Sequence, residues 1–408
     1  MFSPLSNTLD LNIVILEYLM LHFKKNTISI SPIISNNHSH ERTTLKVFQS
    51  TEGSTKHLIQ LCLGYFTFYV ITGISAKYFT PSGAAVSLNM EQMAYMVYNT
   101  LGGMVTALSI VFIKRWYKLK SNRTLTVAGL SLPQEVSYII PSGFMTAIII
   151  PTTTLMYTFE GMSVMVAMVI MRASVIVISR LVDSVQIAQG ILRKKVYKEE
   201  NLAVVFALLA ASVNLLYVQR GDFNFLHNSA AVVILSSYII AYAIRIYIMN
   251  YFKNTRAKGV PLDNQGFFGV EQICAFTFAV LLAVFFFNSK QWFGWDVPQI
   301  KLFHGSLVEP HPLWWWAAIS GIAFGIVAFF SVFLFMFKGR TATFAGLVNR
   351  LTSLTAGTAA TLISALLLGA KFPKFNDWLS LLFILIAVGF LTVAERKRSA
   401  ELAAAREL

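Results

Sequence analysis

Long apolar runs alternate with short polar connectors along this chain. Runs of about 18 or more residues, each able to cross a hydrocarbon core roughly 30 Å thick, recur between residues 57 and 395. They predict ten helical spans at 57–78, 86–113, 137–158, 161–181, 201–218, 229–251, 266–287, 312–337, 342–368 and 376–395. The pattern is that of an all-α polytopic membrane protein. Two connectors are very tight: YTFEG at 157–161 and FMFKG at 335–339 leave room only for a sharp helix reversal, with Gly161 and Gly339 suited to the turn.

The polar connectors differ in charge. Lys114, Arg115, Lys118, Lys120 and Arg123 follow the second span, and Arg193, Lys194, Lys195 and Lys198 the fourth. Lys253, Arg256 and Lys258 follow the sixth, Lys338 and Arg340 the eighth, and Arg396, Lys397 and Arg398 the tenth. Every even-numbered span thus ends on the basic side, which the positive-inside rule assigns to the cytoplasm, and both termini are expected there. Trp314, Trp315, Trp316 and Trp378 open spans at the expected outer interface, and Trp116 closes one at the inner interface, as in an aromatic belt.

The halves repeat. At an offset of 178 residues, Ser142, Gly143, Ile148, Phe159, Gly161, Ala167 and Arg172 fall on Ser320, Gly321, Ile326, Phe337, Gly339, Ala345 and Arg350. Chance in such apolar stretches would supply roughly two or three identities. MEQMAY (90–95) answers VEQICAF (270–276), and KVYK (195–198) answers KFPK (371–374), at nearly the same offset. Ordered matches at one offset indicate duplication. Each copy holds five spans, an odd number, so the second enters the membrane from the opposite face. The predicted organisation is two inverted five-helix repeats, 57–218 and 219–395, with a C-terminal cytoplasmic tail at 396–408.

Residues 1–56 depart from this pattern, with no Ala and a single Gly. Their apolar stretch LNIVILEYLMLHF (11–23) is broken by Glu17, and it lacks a preceding basic segment and a small-residue cleavage site. A signal peptide is not expected. The segment reads as a partly disordered cytoplasmic extension containing an interfacial helix.

Composition adds exclusions. Of 408 residues, 56% are hydrophobic and 13% charged, against roughly 25% charged in soluble domains; mean hydropathy is +0.62. The net charge of +14 sits in short loops with no interleaved aromatic stripe, so nucleic acid is not expected as a partner. Cys62 and Cys274 lie inside apolar runs, and no His/Cys cluster has metal-ligand spacing, so neither a metal nor a cofactor is expected. No Walker-type loop argues for an ATP-driven pump, and no interfacial cluster of Asp, His or Glu argues for an enzyme acting on lipid-linked substrates.

Five plus five inverted spans with tight hairpins between spans three and four and between eight and nine resemble the drug/metabolite transporter superfamily, over about residues 57–395. Within it, VIMRASVIVISRL (169–181), GVEQICAF (269–276) and GLVNRLTSL (346–354) look closest to the branch of nucleotide-sugar and chloroquine-resistance-type transporters. The N-terminal extension and the roughly 20-residue loop between spans two and three depart from that pattern. The resemblance implies a central cavity lined by spans three, four, eight and nine. It also implies cargo such as a nucleotide sugar, an organic phosphate, an amino acid or a cationic drug. A small-molecule substrate and the lipid bilayer are the expected partners, with a coupling ion or counter-substrate and a monomeric or homodimeric state both compatible. The expected site is the inner membrane of a bacterium, or an endomembrane such as the Golgi in a eukaryote.

Arg172 lies about 11 residues into span four and Arg350 about eight into span nine, some 12–16 Å deep at 1.5 Å per residue. A charge there costs at least ~2.5 kcal/mol on insertion scales, so it faces protein or a wet cavity. Two readings stand: the guanidiniums bind an anionic substrate group, or each pairs with a buried acid or free carbonyls to hold the bundle. Asn349, beside Arg350, and Thr153, with Thr152 and Thr154 after the kink residue Pro151, offer uncharged hydrogen bonds to the same cavity. Glu91 with Gln92 and Glu271 with Gln272 are the repeated polar pairs; gating, proton coupling, or stabilisation of a helix N-terminus would each suit them. Arg180 and Asp183 are expected to pair locally, Arg245 to snorkel, and Gly321 and Gly325 to mark close helix packing. The leading function is a secondary transporter of a small anionic or zwitterionic metabolite; an amino-acid or drug exporter and a non-transporting scaffold are the alternatives.

Overall fold

A computed structural model describes residues 53–81, 85–127, 130–155, 164–193, 195–213, 215 and 229–407. The described residues form eleven helices and one hairpin. The helices are α1 (Thr55–Phe79), α2 (Gln92–Ile113), α3 (Val136–Leu155), α4 (Val164–Ala188), α5 (Lys198–Ser212), α6 (Ser229–Asn254), α7 (Asn264–Phe293), α8 (Pro298–Val308), α9 (Trp314–Phe335), α10 (Ala342–Leu368) and α11 (Phe375–Glu407). Strands β1 (Thr124–Val127) and β2 (Leu130–Pro133) pair antiparallel between α2 and α3. Eight helices, α1, α2, α3, α6, α7, α9, α10 and α11, are long and apolar enough to cross a membrane. The protein is a multi-pass membrane protein.

Each of the ten predicted spans meets a helix, with informative differences at the ends. The second begins at Gln92 rather than 86, because Leu88 and Met90 turn their backbone N–H groups to the Tyr78 and Phe79 carbonyls instead of to a helix. Helix α7 runs to Phe293, about 45 Å at 1.5 Å per residue. The tail beyond 395 is a continuation of α11. The β1–β2 hairpin and α8 occupy stretches that the hydrophobic pattern leaves as loops. The YTFEG turn lies outside the described residues, as does the extension up to residue 52. Its counterpart is seen: α9 ends at Phe335, Gly339 takes a left-handed φ of +83°, and α10 starts after the N-cap Thr341, whose hydroxyl accepts from the Phe344 N–H.

The packing is dominated by helix pairs drawn from opposite halves of the chain. Helix α2 lies along α9 and α3 along α7. Helix α1 packs on α9 and α10, and α6 on α3 and α4. Helix α4 meets α10, and α5 meets α11. Glycines permit the closest crossings. A Cβ on Gly321 would stand 2.1 Å from the Asn99 carbonyl oxygen, and one on Gly325 2.4 Å from that of Gly103. Small residues at such a crossing let two backbones touch, so dispersion can hold helices that lipid does not push together. Ser142–Gly143 behaves the same way against α7, where a Cβ on Gly143 would stand 2.9 Å from the Glu271 carbonyl oxygen. Large apolar side chains such as Leu63, Leu281, Leu382 and Leu385 stay exposed on the outside of the bundle, a surface made for lipid rather than water.

The basic connectors gather at one end of the bundle and interlock there. Glu135 accepts from the Asn122 N–H and from Arg256 at 2.8 Å, Lys120 N–H donates to Asp263, and Lys253 donates to the Phe335 carbonyl. Buried Arg340 forms a two-bond ion pair with Glu395 on α11. Trp116 follows the end of α2 and is half-buried. It stacks on Phe329, 5.5 Å between centroids, against the edge of the core.

Candidate functional site

Helices α4 and α10 run antiparallel in contact, and their register follows from three meetings. At the basic end the Asp183 carboxylate accepts from the backbone N–H groups of Ala342 and Thr343, at 2.8 and 2.6 Å. Farther along, Ser179 sits against Gly346, and deeper still the Arg172 Nη2 lies 3.8 Å from where a Cβ on Gly357 would stand. Arg350 is seven residues before Gly357 on α10, so about 10 Å of one helix face separates the two points at 1.5 Å per residue. Both sequence-predicted arginines therefore border the same stretch of α10.

Their surroundings differ. Arg350 is buried, with its guanidinium carbon 5.1 Å from the Tyr242 ring centroid and its Nε without a hydrogen-bond partner. Tyr65 from α1 and Tyr238 and Tyr242 from α6 are its electrostatic neighbours. Arg172 is half-buried. No ion pair among the described residues involves either arginine. Asn349 is buried and donates to the Ser331 hydroxyl of α9 at 3.0 Å, which ties it into the wall beside Arg350.

The repeated acids do not serve these arginines. Glu271 lies two turns inside α7 and takes a two-bond ion pair from Arg245 of α6, Nε to Oε1 at 2.9 Å and Nη2 to Oε2 at 2.8 Å. The Ser142 and Thr146 hydroxyls of α3 donate to the same Oε1 at 2.6 and 3.3 Å. The pair joins three helices, and Glu271 is fully buried. Arg245 does not snorkel; it turns inward because the acid is one helix away. Glu91 is instead exposed and caps α2, accepting from the Ala94 N–H at 2.8 Å, with half-buried Gln92 as the first helical residue. The expectation of a helix-terminus role holds for Glu91 and fails for Glu271. Gln272 is buried next to Glu271.

Two further expectations give way to long-range contacts. Arg180 does not pair with Asp183: it donates to Asn201 and Ser184, while Asp183 is taken up by the start of α10. Thr153 returns its hydroxyl to the Ile149 carbonyl of its own helix at 2.7 Å, as Thr152 does to Ile148, which suits a helix interrupted at Pro151. The tyrosines around Arg350 were not singled out from sequence. Their signal is the spacing of four shared by Tyr65 and Tyr69 in α1 and by Tyr238 and Tyr242 in α6, which puts each pair on one helix face. Lys77, donating to Thr361 of α10 at 2.9 Å, is a third cation along that helix.

Chemically, the site offers two guanidiniums without carboxylate partners among the described residues, and Arg350 has aromatic hydroxyls beside it. No protein-family model and no curated protein matches the chain. A solved structure described only as "Crystal structure of protein" aligns with a TM-score of 0.49 at 12% identity, over 84% of this chain and 99% of its own.

Proposed function

We propose that this chain is a secondary transporter that moves a small anionic metabolite by alternating access, with Arg350 and Arg172 receiving the anion. The observation that carries the reading is the unequal fate of the buried cations. Arg245 is neutralised by Glu271, whereas Arg350, equally removed from lipid, has tyrosines for neighbours and a free Nε. A charge left uncompensated at such depth is costly unless a ligand or water meets it, and a guanidinium fork suits phosphate or carboxylate.

The helix packing supports two inverted five-helix repeats. Numbering the spans α1–α5 and α6, α7, α9, α10, α11, the main contacts persist when corresponding spans are exchanged. The pair α2 with α9 becomes α7 with α3, α1 with α9 becomes α6 with α3, and α1 with α10 becomes α6 with α4. The pairs α4 with α10 and α5 with α11 map onto themselves. That is the contact pattern of a pseudo-two-fold axis, and the duplicated Ser–Gly pairs lie at equivalent crossings. The conformer is tied at its basic end by Asp183, Arg340 and Glu395, while every residue from Ile71 to Tyr78 of α1, toward the other end, is only half-buried. One end closed and the other loosened suits a carrier with alternately opening ends. Membership of the drug/metabolite transporter superfamily, cytoplasmic termini, and a nucleotide sugar or organic phosphate as cargo belong to the same reading.

The test is a thermal-shift panel of nucleotide sugars, phosphorylated metabolites, amino acids and cationic drugs on the purified full-length protein, followed by uptake of the stabilising compound into liposomes. Binding to the folded state raises the unfolding midpoint by mass action. An anion should stabilise the wild type and lose most of that effect with Arg350→Ala, with Arg350→Lys intermediate. Undiminished binding to Arg350→Ala would overturn the anion site, and binding without uptake would overturn transport.

A further inference from the structure

At the basic end, well away from Arg350, a solvent-open cleft is framed by the starts of α1 and α7 and the end of α9. Its rim carries His57, Lys120 and Lys338, and its floor is apolar, with Leu61, Phe333 and Phe337. We infer that this cleft is a binding site for a phosphate group, and that the phosphate belongs to the headgroup of an anionic phospholipid.

Three features of the cleft converge on that ligand. The first is uncompensated positive charge. Neither Lys120 nor Lys338 enters an ion pair among the described residues. Among the described residues the one acid on the rim, Asp263, already accepts from the N–H groups of Gly266 and Lys120. The second is unmet hydrogen-bonding capacity in two residues that line the cleft: the His57 Nδ1 and the Asn264 Oδ1 are buried and have no partner. An Asn amide can present its NH2 in place of its oxygen by rotation, and a histidine nitrogen can carry a proton, so both can turn donor toward an oxyanion. The third is the placement of two helix starts. Asn264 and Gln265 open α7 on the cleft, Gly53 and His57 lie at the opening of α1, and helix N-termini favour anions.

The apolar floor separates the two sources of phosphate. A free phosphate gains nothing from Leu61, Phe333 and Phe337, whereas the glycerol and upper acyl carbons of a lipid would cover them. Basic pockets between membrane helices have the right chemistry for anionic headgroups. The inference concerns lipid occupancy and is independent of what the protein transports.

The full-length protein in detergent would be titrated with dioctanoyl phosphatidic acid, dioctanoyl phosphatidylcholine and inorganic phosphate, reading the unfolding midpoint. Phosphatidic acid should stabilise the wild type, and phosphatidylcholine, which has no net charge, should not. In Lys120→Ala/Lys338→Ala the apparent affinity for phosphatidic acid should fall about tenfold or more, given about 1 kcal/mol for each basic side chain. Lys290→Ala, which removes an exposed lysine at the far end of α7, should bind as the wild type does. His57→Ala provides a second variant with both lysines intact, and it should also weaken phosphatidic acid. Equal stabilisation of the wild type and the double-lysine variant would overturn the site. Equal apparent affinity for inorganic phosphate and phosphatidic acid would overturn the lipid source and leave a soluble phosphate as occupant.

Discussion

Arg245 and Glu271 share two hydrogen bonds, 2.9 and 2.8 Å long, in a position where both side chains are buried. Glu271 is thereby withdrawn from the arginines of α4 and α10. Glu271→Gln should leave a buried guanidinium without its counter-charge and lower stability by about 3–5 kcal/mol. Replacing both partners at once, with Arg245→Met and Glu271→Leu, should recover much of that loss. Thermal unfolding of the two variants in one detergent checks this. If Glu271→Gln proves as stable as the wild type, the ion pair does not hold α6 to α7.

Gly357 leaves space for the Arg172 guanidinium, 3.8 Å from the position of a Cβ. Gly357→Ala should be tolerated, since that is an ordinary contact distance. Gly357→Leu should push the guanidinium aside and weaken anion binding by about tenfold while leaving Arg172 in place. Binding titrations of both variants with whichever anion stabilises the wild type decide the matter.

The crossing of α2 with α9 depends on bare backbone. Gly321→Ala would drive a methyl group to within 2.1 Å of the Asn99 carbonyl oxygen, so the helices must separate. A loss of about 1–3 kcal/mol is expected, as for other overpacked contacts. Gly305→Ala, at a glycine of α8 with open space around it, should cost far less.

Asp183 holds the first turn of α10 through two backbone N–H groups. Asp183→Ala should uncover both and destabilise by about 1–3 kcal/mol, the cost of unmet buried donors. Asp183→Asn, which still offers an oxygen, should fall between. Faster amide exchange at Ala342 and Thr343, with the rest of α10 unchanged, would be the local signature.

Two acids at the basic end should give opposite pH responses. Burial pushes the Glu200 carboxyl up to about 7, despite the Thr341 hydroxyl that donates to it. The folded state then binds this proton more tightly than the unfolded state does, and the Glu200 contribution to stability grows as pH falls from about 7 toward 4.5. At Glu135, burial acts upward, but the Ser121 hydroxyl, the Asn122 N–H and the Arg256 charge outweigh it and hold the carboxyl below its usual value of 4.5. Its contribution is present above that value and is lost as pH falls through the folded-state value. Stability profiles of Glu200→Gln and Glu135→Gln against wild type should diverge in those two windows, the first between pH 4.5 and 7 and the second below pH 4.5.

Much of this architecture is legible in one dimension. A bilayer requires each span to satisfy its own backbone hydrogen bonds, so helices follow from apolar run length: each of the ten predicted spans meets a helix, and eight of those helices are long and apolar enough to cross a membrane. Loop charge predicts that even-numbered spans end together, and Lys120, Arg256, Lys338 and Arg398 do meet at one end of the bundle through their loops. That Arg172 and Arg350 lie inside their helices also follows from counting residues. Which acid meets which base does not. Arg180 and Asp183, three apart, ignore each other, while Asp183 reaches Ala342 across 159 positions of chain and Arg245 finds Glu271 on the next helix. Glu91 and Glu271 share a motif and have different surroundings, because one sits at a helix start and the other two turns inside. Side-chain partnership depends on helix rotation and antiparallel register, both set by close crossings at Gly321 and Gly346 that no local pattern encodes. Sequence alone determined a bundle of apolar helices with an arginine inside each of α4 and α10; tertiary packing decided that, among the described residues, no acid pairs with either of them.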